Sequence, residues 1–327
     1  MIFRFTASPH FDFITQFAGQ IGVPVKDNFL EIPQKMGEGY VRKVTFGNDF
    51  RLLTHCYTLK EDLVIKRNPA VEKNDLRSIF FYNNEQVIEL TYNNDSSIPF
   101  SQNNDSAIQV TTNDLSSTIR FPANTPIQYI VVGITASKLK SLLSIGKLNA
   151  TIKAITNDSA SFLFFESMNA ETKLLLKNIA YTNMNDALSH FYLQIKVQEL
   201  LYLLFSRLSI RENTNYKNIN SADAEKLLVI RNEILSDLST PPVLNELAQI
   251  AAMSETKLKQ LFKQTFGDTI YNYFQKARME EAAFLLKQAG YSVSETGYEL
   301  GFSNLSHFSR LFQRHYGMTP KKYITVG

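Results

Sequence analysis

Apolar and polar positions follow two different periods along this chain, and the change between them falls near residue 136. Before it, short runs rich in β-branched and aromatic residues are separated by clusters of Asn, Asp, Gly, Ser and Pro, the pattern of strands joined by turns. The expected strands are Tyr40–Phe46, Phe50–Tyr57, Ser78–Tyr82, Val87–Tyr92, Ala107–Thr111, Thr118–Phe121 and Ile127–Ile134. Several short strands at that spacing predict a sandwich or small barrel of jelly-roll type. The polar tract 93–106 is expected to be an exposed loop or a turn between strands.

After the change, apolar residues recur at helical spacing over Ala136–Ser144, Asn169–Ile179 and Asp186–Leu208. In the last of these, Leu188, Tyr192, Ile195, Leu200, Leu201, Leu204 and Leu208 form a broad stripe. Two partners are open to it, the chain's own β domain or a second copy in an antiparallel helical seam, and the second makes the protein a homodimer. Residues 209–220 are polar and without an apolar period, as a linker would be.

The last part of the chain repeats itself. From Leu244 it reads LNELAQIAAMSETKLKQLFKQTFG and from Val293 VSETGYELGFSNLSHFSRLFQRHYG, an offset of 49 residues before a turn and 50 after it. Each copy predicts a short helix, a tight turn, a serine able to cap, and a second helix with polar residues outward, which is the pattern of a helix-turn-helix. The two units are 244–266 and 293–316. Ser221 is placed as the N-cap of a preceding helix, with Asp223 and Glu225 in its first turn, and Ser254 as the cap of the first recognition helix. A helix over Thr269–Lys287, about 28 Å long at ~1.5 Å per residue, joins the two units. Major-groove faces recur every ~34 Å, so this helix holds both recognition helices toward one side of a duplex.

Outward positions on the first recognition helix are Thr256, Lys257, Lys259, Gln260 and Lys263. On the second, Asn304, Leu305, Ser306, Ser309, Arg310 and Gln313 are candidates for contacts at base edges, Arg310 suiting guanine and Gln313 adenine. His307, Arg314, His315, Lys321 and Lys322 suit phosphates.

These residues resemble the AraC/XylS family of bacterial transcription regulators over roughly 223–323. The resemblance lies in LAQIAAMSETKLKQLFKQTFG, in Arg278, Ala282, Leu285 and Leu286 of the joining helix, and in ELGFSNLSHFSRLFQRHYGMTPKKY. The closing signature is met by Gly301, Phe302, Phe308, Arg310, Phe312, Gly317, Thr319, Pro320 and Tyr323. It implies two helix-turn-helix subdomains on double-stranded DNA and an N-terminal domain that senses a ligand or dimerises. Thr296-Gly297 departs from the family's Ile-Ala, and Ile324 from its Arg, which predicts a looser second unit because a buried hydroxyl needs a partner and glycine weakens a helix. The helix YLQIKVQELLYLL resembles the siderophore-responsive subgroup, which makes an iron-siderophore the candidate effector.

The fold expected is therefore α+β and multidomain: a β-barrel, jelly-roll or cupin-like effector-sensing domain over 1–145, a helical linker and dimerisation segment over 146–220, and an all-α DNA-binding domain over 221–327. RNA polymerase is a further expected partner of such an activator. Net charge is only +3, so the basic residues matter by position, concentrated on the two recognition segments. Cys56 is the single cysteine, which excludes an intrachain disulfide, a cysteine zinc site and the cysteine cluster that a DNA-alkylation repair fusion needs. No paired acid/base constellation in 1–140 supports an enzyme. No cofactor or metal is expected, since His10 and His55 lie far apart and His55 on its strand is expected to be a satisfied core or rim histidine. Neither a secretory signal nor a membrane span is legible, so a cytoplasmic protein is expected. The competing reading is a regulator independent of any effector, its β domain serving dimerisation alone.

Overall fold

Period-two alternation becomes two sheets in the computed structural model, which describes all residues except 7–10, 71–74, 86, 87, 92–96, 101–105, 145, 147, 148, 158, 159, 212–215 and 327. The chain opens with β1 (Ile2–Thr6), α1 (Phe13–Ile21), β2 (Phe29–Glu31), β3 (Gly37–Thr45), β4 (Phe50–Leu59), β5 (Leu63–Asn68), β6 (Leu76–Tyr82), β7 (Ile88–Thr91) and β8 (Ser97–Phe100). It continues through β9 (Ile108–Thr112), β10 (Ser117–Phe121), β11 (Ile127–Thr135), α2 (Ala136–Leu143), α3 (Ala150–Ile155), β12 (Leu163–Glu166), α4 (Ala170–Ala180) and α5 (Ser189–Ser209). Helices only follow: α6 (Ser221–Ser236), α7 (Leu244–Ile250), α8 (Glu255–Phe266), α9 (Ile270–Lys287), α10 (Val293–Glu299), α11 (Leu305–Tyr316) and α12 (Pro320–Val326). Part of the polar tract 93–106 is strand β8 rather than loop, and its flanks lie outside the described residues.

One sheet runs β1-β5-β10-β7-β8 and the other β12-β9-β6-β11-β4-β3-β2. The β1–β5 pair is parallel and the remaining described pairs are antiparallel. Alternation decides what each face of the larger sheet meets. Even positions, among them Leu52, Val132, Ile130 and Val44, pack with Leu139, Ile155, Leu176, Leu193, Leu200 and Leu204 in one core that joins the sheet to α2–α5. Odd positions of β4 and β11 face the other way, toward the smaller sheet.

The apolar stripe expected of α5 therefore divides. Leu200, Leu201, Leu204 and Leu208 are buried in that core, each worth roughly 1.5–3 kcal/mol. Leu188, Tyr192 and Ile195 are not, and with Phe191 and Tyr202 they leave a second apolar face exposed. Strand β3 grips the end of α4: Arg42 donates to the carbonyls of Ile179 and Thr182, and Tyr40 Oη to that of Ala180.

Contacts divide the chain into two units, Met1–Glu225 with Gln264–Gly267, and Lys226–Lys263 with Asp268–Gly327. The cap of α6 is Asn220, whose Oδ1 accepts from Asp223 N at 2.7 Å, not Ser221. Asn and Ser are nearly equal as caps, so the local sequence left the choice to one residue of register.

Candidate nucleic-acid interface and internal cavity

The two helix-turn-helix units have the same turn, bond for bond. In the first, Ala252 N donates to Gln249 O at 3.0 Å and Met253 N to Ala248 O at 3.1 Å. In the second, Gly301 N donates to Tyr298 O and Phe302 N to Gly297 O, both at 2.9 Å. Each turn needs one residue in the left-handed region: Gly301 at φ 72° and, unusually for a residue with a Cβ, Ala252 at φ 45°. Replacing Ala252 by glycine is expected to relieve this and raise the unfolding free energy by up to about 1 kcal/mol, seen as a higher midpoint. A lowered midpoint in denaturant melts would contradict the strain.

After the turns the caps differ. Ser254 Oγ accepts from Lys257 N at 3.3 Å, as expected. The second recognition helix is capped by Asn304, whose Oδ1 accepts from His307 N at 3.0 Å, and not by a serine. Gly317 at φ 72° closes α11, and Thr319 then caps α12 with Pro320 in its first turn, which is the physical content of the Gly-x-Thr-Pro signature.

The second unit is built on Met279, Ala282, Leu285, Leu286, Leu300, Phe302, Phe308 and Phe312. Arg278 ties it to α9. Its guanidinium lies 3.8 Å from the Phe302 ring centroid and 5.1 Å from that of Phe274, and Nη2 donates to Leu300 O at the end of α10. Burial lowers its pKa. The Thr296-Gly297 departure has two different consequences. Thr296 is fully buried and its Oγ1 has no hydrogen-bond partner among the described residues, as expected of a misplaced hydroxyl. Gly297 instead leaves space that Leu305 fills: a Cβ there would stand 2.5 Å from Leu305 Cδ2, so that side chain would have to shift.

On α8, Thr256 and Lys259 are exposed, and Lys259 Nζ is 3.8 Å from Glu255. Lys257, Gln260 and Lys263 are half-buried. On α11, Ser306, His307, Arg310, Gln313 and Arg314 are exposed, with Ser309 half-buried between them. Leu305 is half-buried because it leans on Gly297, and His307 sets its ring edge-on to Phe302 at 5.9 Å. Arg310 and Arg314 make no ion pair among the described residues.

The sheets of the N-terminal unit, Met1–Glu225, enclose a cavity of about 630 Å³, within the range of roughly 300–1,000 Å³ usual for small-molecule sites. From the larger sheet come Lys43, Thr45, Arg51, Leu53, His55, Ser78, Phe80, Tyr129, Val131 and Gly133, and from the smaller Phe5, Ile65, Arg67, Ser117 and Ile119. Register explains the grouping. Arg51 stands opposite Thr45 and Gly133, Leu53 opposite Lys43 and Val131, and His55 opposite Tyr129. Phe11, Asp12 and Phe13, leading into α1, complete the lining.

Polar groups in this cavity are few and unevenly paired. Lys43 Nζ meets Asp12 at 2.7 Å. Burial opposes the Asp12 charge, but bonds from Lys43 and Thr15 hold its pKa below the usual value. His55 is 1% exposed, lies parallel to Tyr129 with ring centroids 4.0 Å apart, and is driven by burial to a pKa of about 3. Its Nδ1 has no hydrogen-bond partner among the described residues, so there it is buried but not satisfied as expected. The sequence offered no signal for the cavity itself, since Arg51, Leu53 and His55 are aligned with Lys43, Gly133 and Tyr129 only by strand pairing, and Arg51 with Phe11 only by a tertiary hydrogen bond. His10 lies outside the described residues, and among those described no group of three or more His, Cys, Asp or Glu could hold a metal. Also among them, no helix is long and apolar enough to cross a membrane.

Comparison with known proteins adds the following. Residues 247–325 match the helix-turn-helix domain family. The chain is 24% identical over 210 residues to the Msm operon regulatory protein of Streptococcus mutans, spanning 64% of this chain and 72% of that one. It is 31% identical over 129 residues to the transcriptional activator RhaR of Escherichia coli, spanning 38% of this chain and 46% of that one. With the transcriptional activator AggR of Escherichia coli the identity is 34% over 96 residues, 29% of this chain and 36% of that protein. A crystal structure of ToxT from Vibrio cholerae aligns over 84% of this chain and 97% of its own at 16% identity, with a TM-score of 0.34.

Proposed function

We propose that this chain is a sequence-specific DNA-binding transcription regulator of the AraC/XylS type, and not an enzyme, acting in the cytoplasm on double-stranded DNA. The observation that carries the reading is the duplicated turn: two units with identical turn bonds, each followed by a capped helix whose outer face is polar and basic. The match of 247–325 to the helix-turn-helix family and the regulators among its relatives support it. Thr256, Lys257, Lys259, Gln260 and Lys263 meet DNA from the first unit. Ser306, Ser309, Arg310 and Gln313 meet base edges from the second, and His307 and Arg314 the phosphates. Asn304 and Leu305 serve mainly to set the helix, through the cap and the contact with Gly297. Selection of random duplexes at fixed salt tests this: enrichment of two blocks about one helical turn apart supports readout by both units, and the absence of any enriched block refutes it.

The inter-sheet cavity is the place for a small-molecule effector, in keeping with an N-terminal sensing domain over 1–145 that precedes a helical segment over 146–220 and a DNA-binding domain over 221–327. A ligand that binds only the folded state raises the melting temperature, and an effector must in addition change the affinity for the selected DNA.

The exposed face of α5 is the place for a second copy. Leu188, Phe191, Ile195 and Tyr202 are 67%, 61%, 46% and 68% exposed and recur at helical spacing. Substituting Phe191→Glu and Ile195→Glu together is expected to turn a dimer into a monomer in sedimentation equilibrium with the melting temperature little changed. A wild-type monomer at tens of micromolar, or a variant that still dimerises, refutes this seam.

A further inference from the structure

We propose that the cavity between the sheets takes an organic carboxylate, its anionic head on Arg51 and its apolar body among the phenylalanines. This rests on the reading that the cavity holds an effector. Three observations carry the ligand class.

The first is charge. Asp12 is occupied by Lys43 at 2.7 Å, so that pair brings no net charge to the cavity. Arg51 is half-buried, and its one hydrogen bond among the described residues runs from Nη1 to Phe11 O at 3.2 Å. No carboxylate stands within ion-pair distance of it there, although a guanidinium offers five donors in a fork that matches a carboxylate. Burial pushes the Arg51 pKa down, and the pull of the Asp12 carboxylate, already paired with Lys43, opposes it only in part.

The second is space. Gly133 faces Arg51 across the β4–β11 pair, and a Cβ there would stand 2.9 Å from Arg51 Nε and 3.0 Å from Cγ. Its missing side chain gives the guanidinium a flat seat on the sheet, facing the cavity.

The third is the lining beyond the head group. Phe5 and Phe11 stack at 4.4 Å and Phe13 meets both edge-on, which suits an apolar body of alkyl or aryl type. His55 adds a buried Nδ1 on the same wall, without a hydrogen-bond partner among the described residues, a polar group placed to fix orientation.

The test titrates the full-length protein at neutral pH with decanoate and 2-naphthoate, with decan-1-ol and 2-naphthol as their neutral counterparts, and with glucose. Melting temperature and calorimetry are the readouts. At least one carboxylate is expected to raise the melting temperature and to bind about tenfold or more tightly than its neutral counterpart, and the pair that does so decides between alkyl and aryl. Arg51→Gln should erase the difference while the neutral compound binds as before, which also shows the variant to be folded. Gly133→Ala keeps every charge, yet should weaken carboxylate binding severalfold by displacing the guanidinium. Neutral compounds or glucose binding in preference to carboxylates would overturn the ligand class and leave the effector reading standing. No binding by either carboxylate overturns the class as well. Carboxylates that bind without altering affinity for the selected DNA support the class and overturn the effector role.

Discussion

Gly301→Ala is expected to unfold the second helix-turn-helix unit, at a cost of about 2–4 kcal/mol. Two terms add. The residue sits at φ 72°, where a Cβ costs about 1–2 kcal/mol. The new methyl would also collide with the carbonyl oxygen of Ser239. That carbonyl cannot swing aside cheaply, because Ser239 N and Oγ both donate to Asp237 Oδ1, at 2.8 and 2.6 Å. These bonds hold the Asp237 pKa below the usual carboxylate value, its partner in each case being Ser239 first. Denaturant melts of the full chain should show an early transition or a lowered midpoint, and DNA selection should lose one of its two blocks. An unchanged melt would mean that the second turn is not built as described.

The contrast with the first turn sharpens this. Ala252 adopts the same region at φ 45° with its side chain exposed to solvent, so the first unit bears only the backbone term. Opposite substitutions at matched positions, Ala252→Gly and Gly301→Ala, should therefore move stability in opposite directions and by unequal amounts.

How far the sequence could be read depended on whether a residue's neighbours were near it in the chain. Helix-turn-helix units declare themselves locally: caps, turn glycine and apolar spacing lie within a few residues, and the repeat supplies an internal check. Strands β3, β4, β6, β7, β9, β10 and β11 were legible from β-branched runs for the same reason. Strands β1, β2, β5 and β12 and helices α1 and α3 were not, since IFRFT or LVIKRN becomes a strand only through partners such as the β1–β5 pair, in which Ile2 meets Val64. α5 shows the limit most clearly. Its apolar stripe was legible, but periodicity cannot say that Leu200 and Leu204 meet their own sheet while Phe191 and Ile195 face outward. The cavity was beyond reach altogether, because Arg51, Gly133 and Lys43 meet by register, and a single slipped residue would send Arg51 to the opposite face.

Arg310→Ala is expected to cost about 1–3 kcal/mol on the selected DNA site, roughly 5- to 150-fold in affinity, and to relax the preference at one base position. The side chain is exposed on α11, two residues beyond Phe308, which packs with Phe302 beneath the helix, and no ion pair among the described residues holds it back. Its loss therefore leaves the fold alone, since Phe308 and Phe312 keep their places in the core. A guanidinium that reads a base edge contributes little on random duplex, whereas one that only neutralises phosphate contributes alike to both. Affinities of the variant on specific and random DNA separate the two cases. Equal loss on both, with a salt slope lowered by about 0.9 for the phosphate contact removed, would assign Arg310 to the backbone. Lys322→Ala, on exposed α12, provides the reference for that second behaviour: it should weaken both kinds of DNA together and lower the slope. If instead Arg310→Ala spares random DNA and leaves the slope unchanged, the second unit reads sequence despite the orphaned hydroxyl of Thr296 beneath it. The departure from the family pattern at Thr296-Gly297 then costs stability in α10 without loosening α11, because Leu305 has taken the space that Gly297 leaves.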